Sequence, residues 1–170
     1  MKITVLNGSP RKKNTTFMVD AFVKGAEEAG HKVEVVQVGK MKINGCLGCE
    51  YCHGKGEGQC IQEDDMAKVI PAYQDCDMIV FASPIYYFGM TAQMEAAIQR
   101  VYSIMKPPKA TKAALLLSSM SPGVYDGAIG QYKGILAFMG IEDMGIFTAK
   151  DPENSTEELQ KTIYDFAKGL

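Results

Sequence analysis

Five short apolar runs, each followed by a segment of helical period, decide what this chain can fold into. The runs lie at Lys2–Leu6, Lys32–Val38, Met78–Ala82, Ala113–Leu117 and Met144–Phe147. Most are apolar at successive positions, as strands must be when a parallel sheet is covered on both faces. Lys32–Val38 alternates in part, through Val33, Val35, Val36 and Val38, which suits an edge strand. Thr15–Ala29 places Phe17, Ala21, Phe22, Ala26 and Ala29 on one helical face and stops at Gly30. Met90–Met105 repeats apolar residues at Met90, Met94, Ala97, Ile98, Val101 and Met105, then meets Pro107-Pro108. Tyr132–Met139 predicts a helix closed by Gly140. Ser155-Thr156-Glu157-Glu158 reads as a capping box that opens a last helix with Leu159, Ile163 and Phe166 inward. Asp64-Asp65 supplies an acidic first turn for a further helix, which Pro71 must kink or shorten. Strands and helices in strict alternation predict an α/β fold, a three-layer doubly wound sandwich around a five-stranded parallel sheet. Residues 1–170 are expected to form one domain, with a cysteine-rich insertion at about 40–62.

Composition narrows the partners. Eighteen basic residues face twenty acidic ones, a net charge of −2, and no polybasic field invites nucleic acid or an anionic membrane surface. The opening MKITVLNGSP breaks its apolar run at Asn7-Gly8, unlike a signal peptide, and no stretch is long enough for a membrane span. A cytoplasmic setting is expected, where thiols stay reduced. Hydrophobic residues make up 46% of the chain, enough for a core that needs no disulfide staples.

The first strand leads into Asn7-Gly8-Ser9-Pro10-Arg11-Lys12-Lys13-Asn14-Thr15-Thr16. One glycine, three hydroxyls, an amide and three cations precede a helix whose first N–H groups are free, which suits a phosphate. A Walker A loop would need Gly-Lys-Ser/Thr starting where Lys13 stands. A dinucleotide loop would need three glycines and an acid after the second strand, where Gln37, Val38, Gly39 and Lys40 stand. A terminal monophosphate remains, against the alternative of a basic surface turn.

The third strand leads into Pro84-Ile85-Tyr86-Tyr87-Phe88-Gly89. Three consecutive aromatics fit neither a strand nor a helix period. Pro84 fixes the turn, and Gly89 permits close backbone approach to a flat aromatic ligand. At least one of the three rings is expected to turn into the core. After the fourth strand, Ser118 to Tyr125 forms a small polar loop on the same sheet edge, able to close over such a ring with Ser119 and Tyr125.

Three stretches, NGSPRKKNTT, the cysteine loop running into Asp64-Asp65-Met66, and SPIYYFGMTAQMEAAIQR, carry a resemblance that covers nearly the whole chain. The chain resembles the NADPH-dependent FMN reductase and iron–sulfur flavoprotein group of the flavodoxin-like superfamily. That resemblance implies strand order 2-1-3-4-5 and FMN phosphate contacts from Ser9, Arg11, Asn14, Thr15 and Thr16. It implies isoalloxazine contacts from Pro84, Ile85, Tyr86, Tyr87, Phe88 and Gly89. It also implies a homodimer or homotetramer with the flavin sites near subunit interfaces.

Four of five cysteines, Cys46, Cys49, Cys52 and Cys60, fall in GCLGCEYCHGKGEGQC. Two consecutive Cys-x2-Cys steps match the opening of a ferredoxin run. The resemblance implies that such a motif holds a 4Fe–4S cluster near the flavin, although the seven-residue final gap stands at the long end of its range. Metal-free thiols come next. Zinc, which favours separated Cys-x2-Cys knuckles, and disulfides, which an odd cysteine count fits poorly, rank lower. Cys76 reads as a buried small hydrophobe. The expected function is an oxidoreductase in which FMN takes electrons from NAD(P)H or a reduced protein partner. They would go to a small-molecule or protein acceptor, with or without a cluster. No side-chain acid or base is assigned. A non-enzymatic electron carrier and a redox-inactive phosphate-ligand binder are the competing readings.

Overall fold

A computed structural model describes all of residues 1–170. In chain order the elements are β1 (Lys2–Asn7), α1 (Asn14–Glu28), β2 (Lys32–Val36), α2 (Met66–Gln74), β3 (Met78–Pro84), α3 (Ala92–Arg100), β4 (Lys112–Ser119), α4 (Asp126–Met139), β5 (Glu142–Lys150) and α5 (Glu157–Lys168). Short 3-10 turns stand at Val38–Lys40, Tyr51–His53, Val101–Ile104 and Glu153–Ser155. The sheet has the order β2-β1-β3-β4-β5, all pairs parallel, so β2 is an edge and the order reverses between β1 and β3.

Both faces of the sheet are covered. Ile3, Val5, Met78, Val80, Ala114 and Leu116 pack with Met18 and Phe22 of α1 and Ile163 of α5. Leu6, Ile79, Phe81, Leu115 and Leu117 pack on the other face with Val69, Met94 and Tyr132. Successive strand residues thus serve opposite cores, which is why the runs read as continuous rather than alternating. Cys76 is buried, and desolvation pushes its thiol up to about 11, a small apolar side chain in effect. No helix is long and apolar enough to cross a membrane.

Several boundaries differ from the sequence reading. The inward face of α1 is Thr15, Met18, Val19, Phe22 and Ala26, while Phe17 and Ala29 are exposed. Thr15, Met18 and Val19 thus lie on the inward face although the stripe expected from Phe17, Ala21, Phe22, Ala26 and Ala29 does not include them. α4 begins at Asp126 rather than Tyr132, because Gly127 and Gly130 disguised its first turns. Thr156, not Ser155, caps α5 by accepting the Leu159 N–H, and the Ser155 hydroxyl instead donates to Pro152 O. Ala167 joins Ile163 in the core, with Leu159 and Phe166 only partly buried. β5 runs on to Lys150, past the apolar Phe147. α3 is α-helical only to Arg100 and tightens into a 3-10 turn that leaves Met105 exposed. Pro71 stands inside α2, which stays short at nine residues.

Candidate functional site

The carboxyl ends of β1, β3, β4 and β5 open onto one cleft of about 210 Å³. Its lining includes Ser9, Arg11, Lys13, Asn14 and Thr15 from the first loop and helix, and Pro84, Ile85 and Tyr86 from the third strand. Ser118, Ser119, Met120 and Asp151 complete it. It sits where the strand order reverses, the position at which open α/β sheets bind ligands.

The first loop is held from beneath. Asn7 Oδ1 accepts the Ser9 N–H at 3.0 Å, and the Ser9 hydroxyl donates to Arg11 O at 2.8 Å. Thr15 and Ser118 share a buried hydroxyl hydrogen bond of 2.7 Å, which ties the start of α1 to the end of β4. Gly39, in the turn after β2, lies against the loop backbone: a Cβ there would stand 2.4 Å from the Ser9 carbonyl carbon. Lys13 at the N-cap of α1 makes no side-chain capping bond, so that helix end presents free N–H groups beside Asn14 and Thr15. With the helix dipole and two cations against one carboxylate, the lining favours an anion. Thr16 turns its hydroxyl back to Arg11 O at 3.3 Å and is not among the lining residues.

The aromatic loop contradicts the expectation that one ring would enter the core. Tyr86, Tyr87 and Phe88 are 43%, 98% and 61% exposed. Tyr86 N–H donates to Gly89 O at 2.9 Å and Gly89 N–H to Tyr86 O at 3.3 Å, which closes a two-residue turn. Tyr87 and Phe88 at its centre have φ of 51° and 70°. Such turns favour Asn-Gly, and bulky residues held left-handed cost about 1–3 kcal/mol each. Gly89 itself is not left-handed, and open space stands where its Cβ would be. Arg11 places its guanidinium 6.0 Å from the Tyr86 ring centre, so the phosphate-type loop and the aromatic turn meet. Tyr87, Phe88, Gly89 and Tyr125 are not among the residues that line the cleft, and the Tyr125 hydroxyl stands 2.6 Å from Ser119 Oγ.

Lys13, Ser118, Met120 and Asp151 line the cleft in addition to the residues expected from sequence. Ser118 belonged to a loop already noted. Asp151 follows β5 directly, but the apolar run that marks this strand in the sequence stops at Phe147.

The four clustered cysteines share one loop. Cys46 and Cys49 are exposed, and Cys52 and Cys60 are half-buried. The Gly48 N–H donates to Cys46 Sγ at 3.4 Å. Burial pushes the Cys52 thiol up, and the neighbouring Cys60, Glu50 and Cys46 add to the rise. No three Cys, His, Asp or Glu side chains converge closely enough to hold a metal ion. Thiolates are the donor type an iron–sulfur cluster takes, but in this structure the four sulfurs do not form a closed ligand set.

Comparison with known proteins places this architecture. Residues 1–155 match the family model described as NADPH-dependent FMN reductase. An iron–sulfur flavoprotein of Archaeoglobus fulgidus is 38% identical over 136 residues, covering 79% of this chain and 56% of that one. An iron–sulfur flavoprotein of Methanocaldococcus jannaschii is 30% identical over 98% of this chain and 70% of its own length. The chain spans about half the length of the two Archaeoglobus relatives first matched. Among solved structures, the NAD(P)H:quinone oxidoreductase of Methanothermobacter marburgensis superposes with a TM-score of 0.74 at 18% identity, over 99% of this chain and 93% of that one. With its flavodoxin-like strand order and a family match that runs from the first strand past the last, the chain belongs to the NADPH-dependent FMN reductase family.

Proposed function

We propose that the chain binds FMN at the carboxyl edge of the sheet and acts as an NAD(P)H-dependent oxidoreductase. One observation carries this reading: an uncapped helix N-terminus with two cations opens beside a strained, exposed aromatic turn at the sheet's switch point. When bound, FMN supplies the two-electron chemistry between a reduced nicotinamide and an acceptor.

The protein's part is binding, orientation and exclusion of water. Arg11 and Lys13 meet the phosphate with charge-assisted bonds, and Ser9, Asn14 and Thr15 surround it with hydroxyls, amides and helix N–H groups. Pro84 to Gly89 offer backbone and ring faces to the isoalloxazine, and Ser119 and Tyr125 support the opposite wall. Thr16 acts through Arg11 O rather than by direct contact. The acceptor is a small molecule or a redox protein, in a cytoplasmic homodimer or homotetramer whose interfaces cover the exposed rings.

For the cysteine loop the same reading assigns a 4Fe–4S cluster to Cys46, Cys49, Cys52 and Cys60, supported by their spacing and by relatives named iron–sulfur flavoproteins. Ligation requires the loop to draw its sulfurs together and the Cys52 thiol to lose its proton. A second reading, metal-free thiols on a cluster-independent reductase, is favoured by their failure to converge.

Titration of the purified protein with FMN should give saturable fluorescence quenching, and the complex should oxidise NADPH or NADH steadily with a quinone acceptor. Absence of FMN binding overturns the proposal. Binding without turnover leaves the electron-carrier reading. Anaerobic reconstitution with iron and sulfide decides the cysteines: stoichiometric iron lost in Cys49→Ser and Cys52→Ser supports the cluster, and no iron in the wild type supports free thiols.

A further inference from the structure

Residues 42–65 are mostly exposed: Gly56 is buried, and Ile43 packs partly against the core. A cavity of about 760 Å³ lies between the second half of this segment and α2, and Cys60 stands on its wall. Hydrophobic packing in the segment is limited to contacts such as Ile43 on the core and the His53 ring edge-on to Tyr102, so polar bonds carry much of its placement.

One buried ion pair stands against that exposure. The Arg100 and Asp64 side chains are 2% and 7% exposed. Arg100, the last residue of α3, donates from Nη1 to Asp64 Oδ2 at 2.8 Å and from Nη2 to Oδ1 at 3.3 Å. Its Nη1 also donates to Asn44 O at 3.0 Å. The same carboxylate accepts the N–H groups of Asn44 at 3.0 Å and Met66 at 3.1 Å. This guanidinium–carboxylate fork ties the stem before the first cysteine and the stem after the last to the end of α3, next to the bonds that Lys42 and Asp65 make between the stems. The planar five-donor geometry of arginine suits this, and lysine cannot reproduce it. Beyond the stems, the Tyr102 hydroxyl donates to Glu50 Oε1 at 2.8 Å, so the turn after α3 also holds the middle of the segment.

The other end of α3 is anchored at the cleft. Thr91, its N-cap, donates from Oγ1 to Gly8 O at 2.8 Å, and its N–H donates to Ser83 Oγ at 3.1 Å. At 1.5 Å per residue α3 is about 13 Å long. This one helix connects the phosphate-type loop and aromatic turn to the cysteine segment.

We infer that Arg100 and Asp64 are positioning residues for the cysteine segment. They lock both of its stems to the end of α3 and so set where its sulfurs stand relative to the aromatic turn. The role given to the sulfurs rests on the proposed function above. The locking of the stems does not.

The test compares wild type with Arg100→Met/Asp64→Leu, which exchanges the ion pair for apolar side chains and leaves no unpaired charge. Amide hydrogen exchange across 42–65 should accelerate about tenfold or more, while β1, β3 and β4 stay within about twofold. FMN affinity should change by less than about threefold, since no cleft residue is altered. Iron bound after anaerobic reconstitution should fall below about half the wild-type content, because scattered donors close a cluster poorly. Unchanged exchange across 42–65 overturns the inference. If the strands also exchange faster, Arg100→Lys decides: it keeps the charge without the fork, and exchange confined to 42–65 supports the inference whereas wild-type protection refutes it. A wild type that takes up no iron removes the cluster reading alone, and the exchange comparison still judges the locking residues.

Discussion

The cleft at the strand ends and the cysteine segment are both anchored on α3 but are built on different physical terms. The cleft is pre-formed: its loop is tied by the buried Thr15–Ser118 bond, the Asn7–Ser9 bond and the close approach of Gly39. The cysteine segment is held at its stems and by a few polar bonds to the end of α3, is largely open to water, and its thiols do not converge. A pre-formed cleft meets a ligand of fixed shape with little ordering cost. Donors that must close around a metal assembly benefit instead from a segment that can draw inward while its ends stay fixed.

The contrast can be broken at several points, and the largest effect should come from Gly39→Val. Its Cβ would meet the backbone of Gly8 and Ser9, at 2.6 and 2.4 Å from their carbonyl carbons, with no side chain able to rotate away. Overpacking there should lower stability by about 3 kcal/mol and abolish measurable FMN binding. Denaturant unfolding and FMN titration check both, and an unperturbed cleft would show that it is less rigid than argued. Arg11→Ala comes next. Loss of a charge-assisted bond, about 1.5–3 kcal/mol, should weaken FMN affinity by about ten- to a hundredfold while iron uptake by the cysteine segment is unchanged.

Acid should open the segment before the sheet. Burial works to raise the Asp64 carboxyl, but the bonds from Arg100 and the Asn44 and Met66 amides outweigh it and hold the group below the usual carboxylate range. Its folded value lies below its unfolded one, so its contribution is present above about pH 4 and lost as pH falls through the folded value. Limited proteolysis across 42–65 should therefore rise on acidification below that range while β-sheet circular dichroism persists. Simultaneous loss of both would deny the segment its separate hold. The smallest effect on the fold is expected from Gly89→Ala. With no left-handed φ and open space at the added Cβ, its melting temperature should match wild type. Any fall in FMN occupancy then reports contact with the ligand, and full occupancy moves the ring away from Gly89.

The sheet was legible because each strand serves two cores, and that leaves runs such as Met78–Ala82 and Ala113–Leu117 apolar without interruption. The ends of elements were less so. Thr148, Ala149 and Lys150 extend β5 by backbone pairing to β4, which needs no apolar side chains, so Asp151 went unplaced. Glycines in the first turns of α4 concealed a helix whose stability comes from packing of Ala128, Tyr132 and Leu136. In the site, Ser9, Arg11, Asn14, Thr15 and Tyr86 were readable from residue chemistry at a strand-to-helix turn. Gly39 and Arg100 were not, since one acts by having no side chain and the other reaches partners 36 and 56 positions away, through hydrogen bonds that leave no local pattern.

The stems of the cysteine segment meet almost at a point. Asp65 N–H donates to Lys42 O at 3.1 Å, and Lys42 N–H donates to Asp65 Oδ2 at 2.9 Å. A loop that leaves and re-enters a scaffold at neighbouring positions has closure entropy that grows only logarithmically, roughly 0.6 kcal/mol for each doubling of length. The segment is therefore a socketed module. Its length, cysteine spacing and ligand could be exchanged between Asn44 and Asp64 while the sheet, the cleft and α3 keep their sequence, so one flavodoxin-like body could be refitted with different inserts.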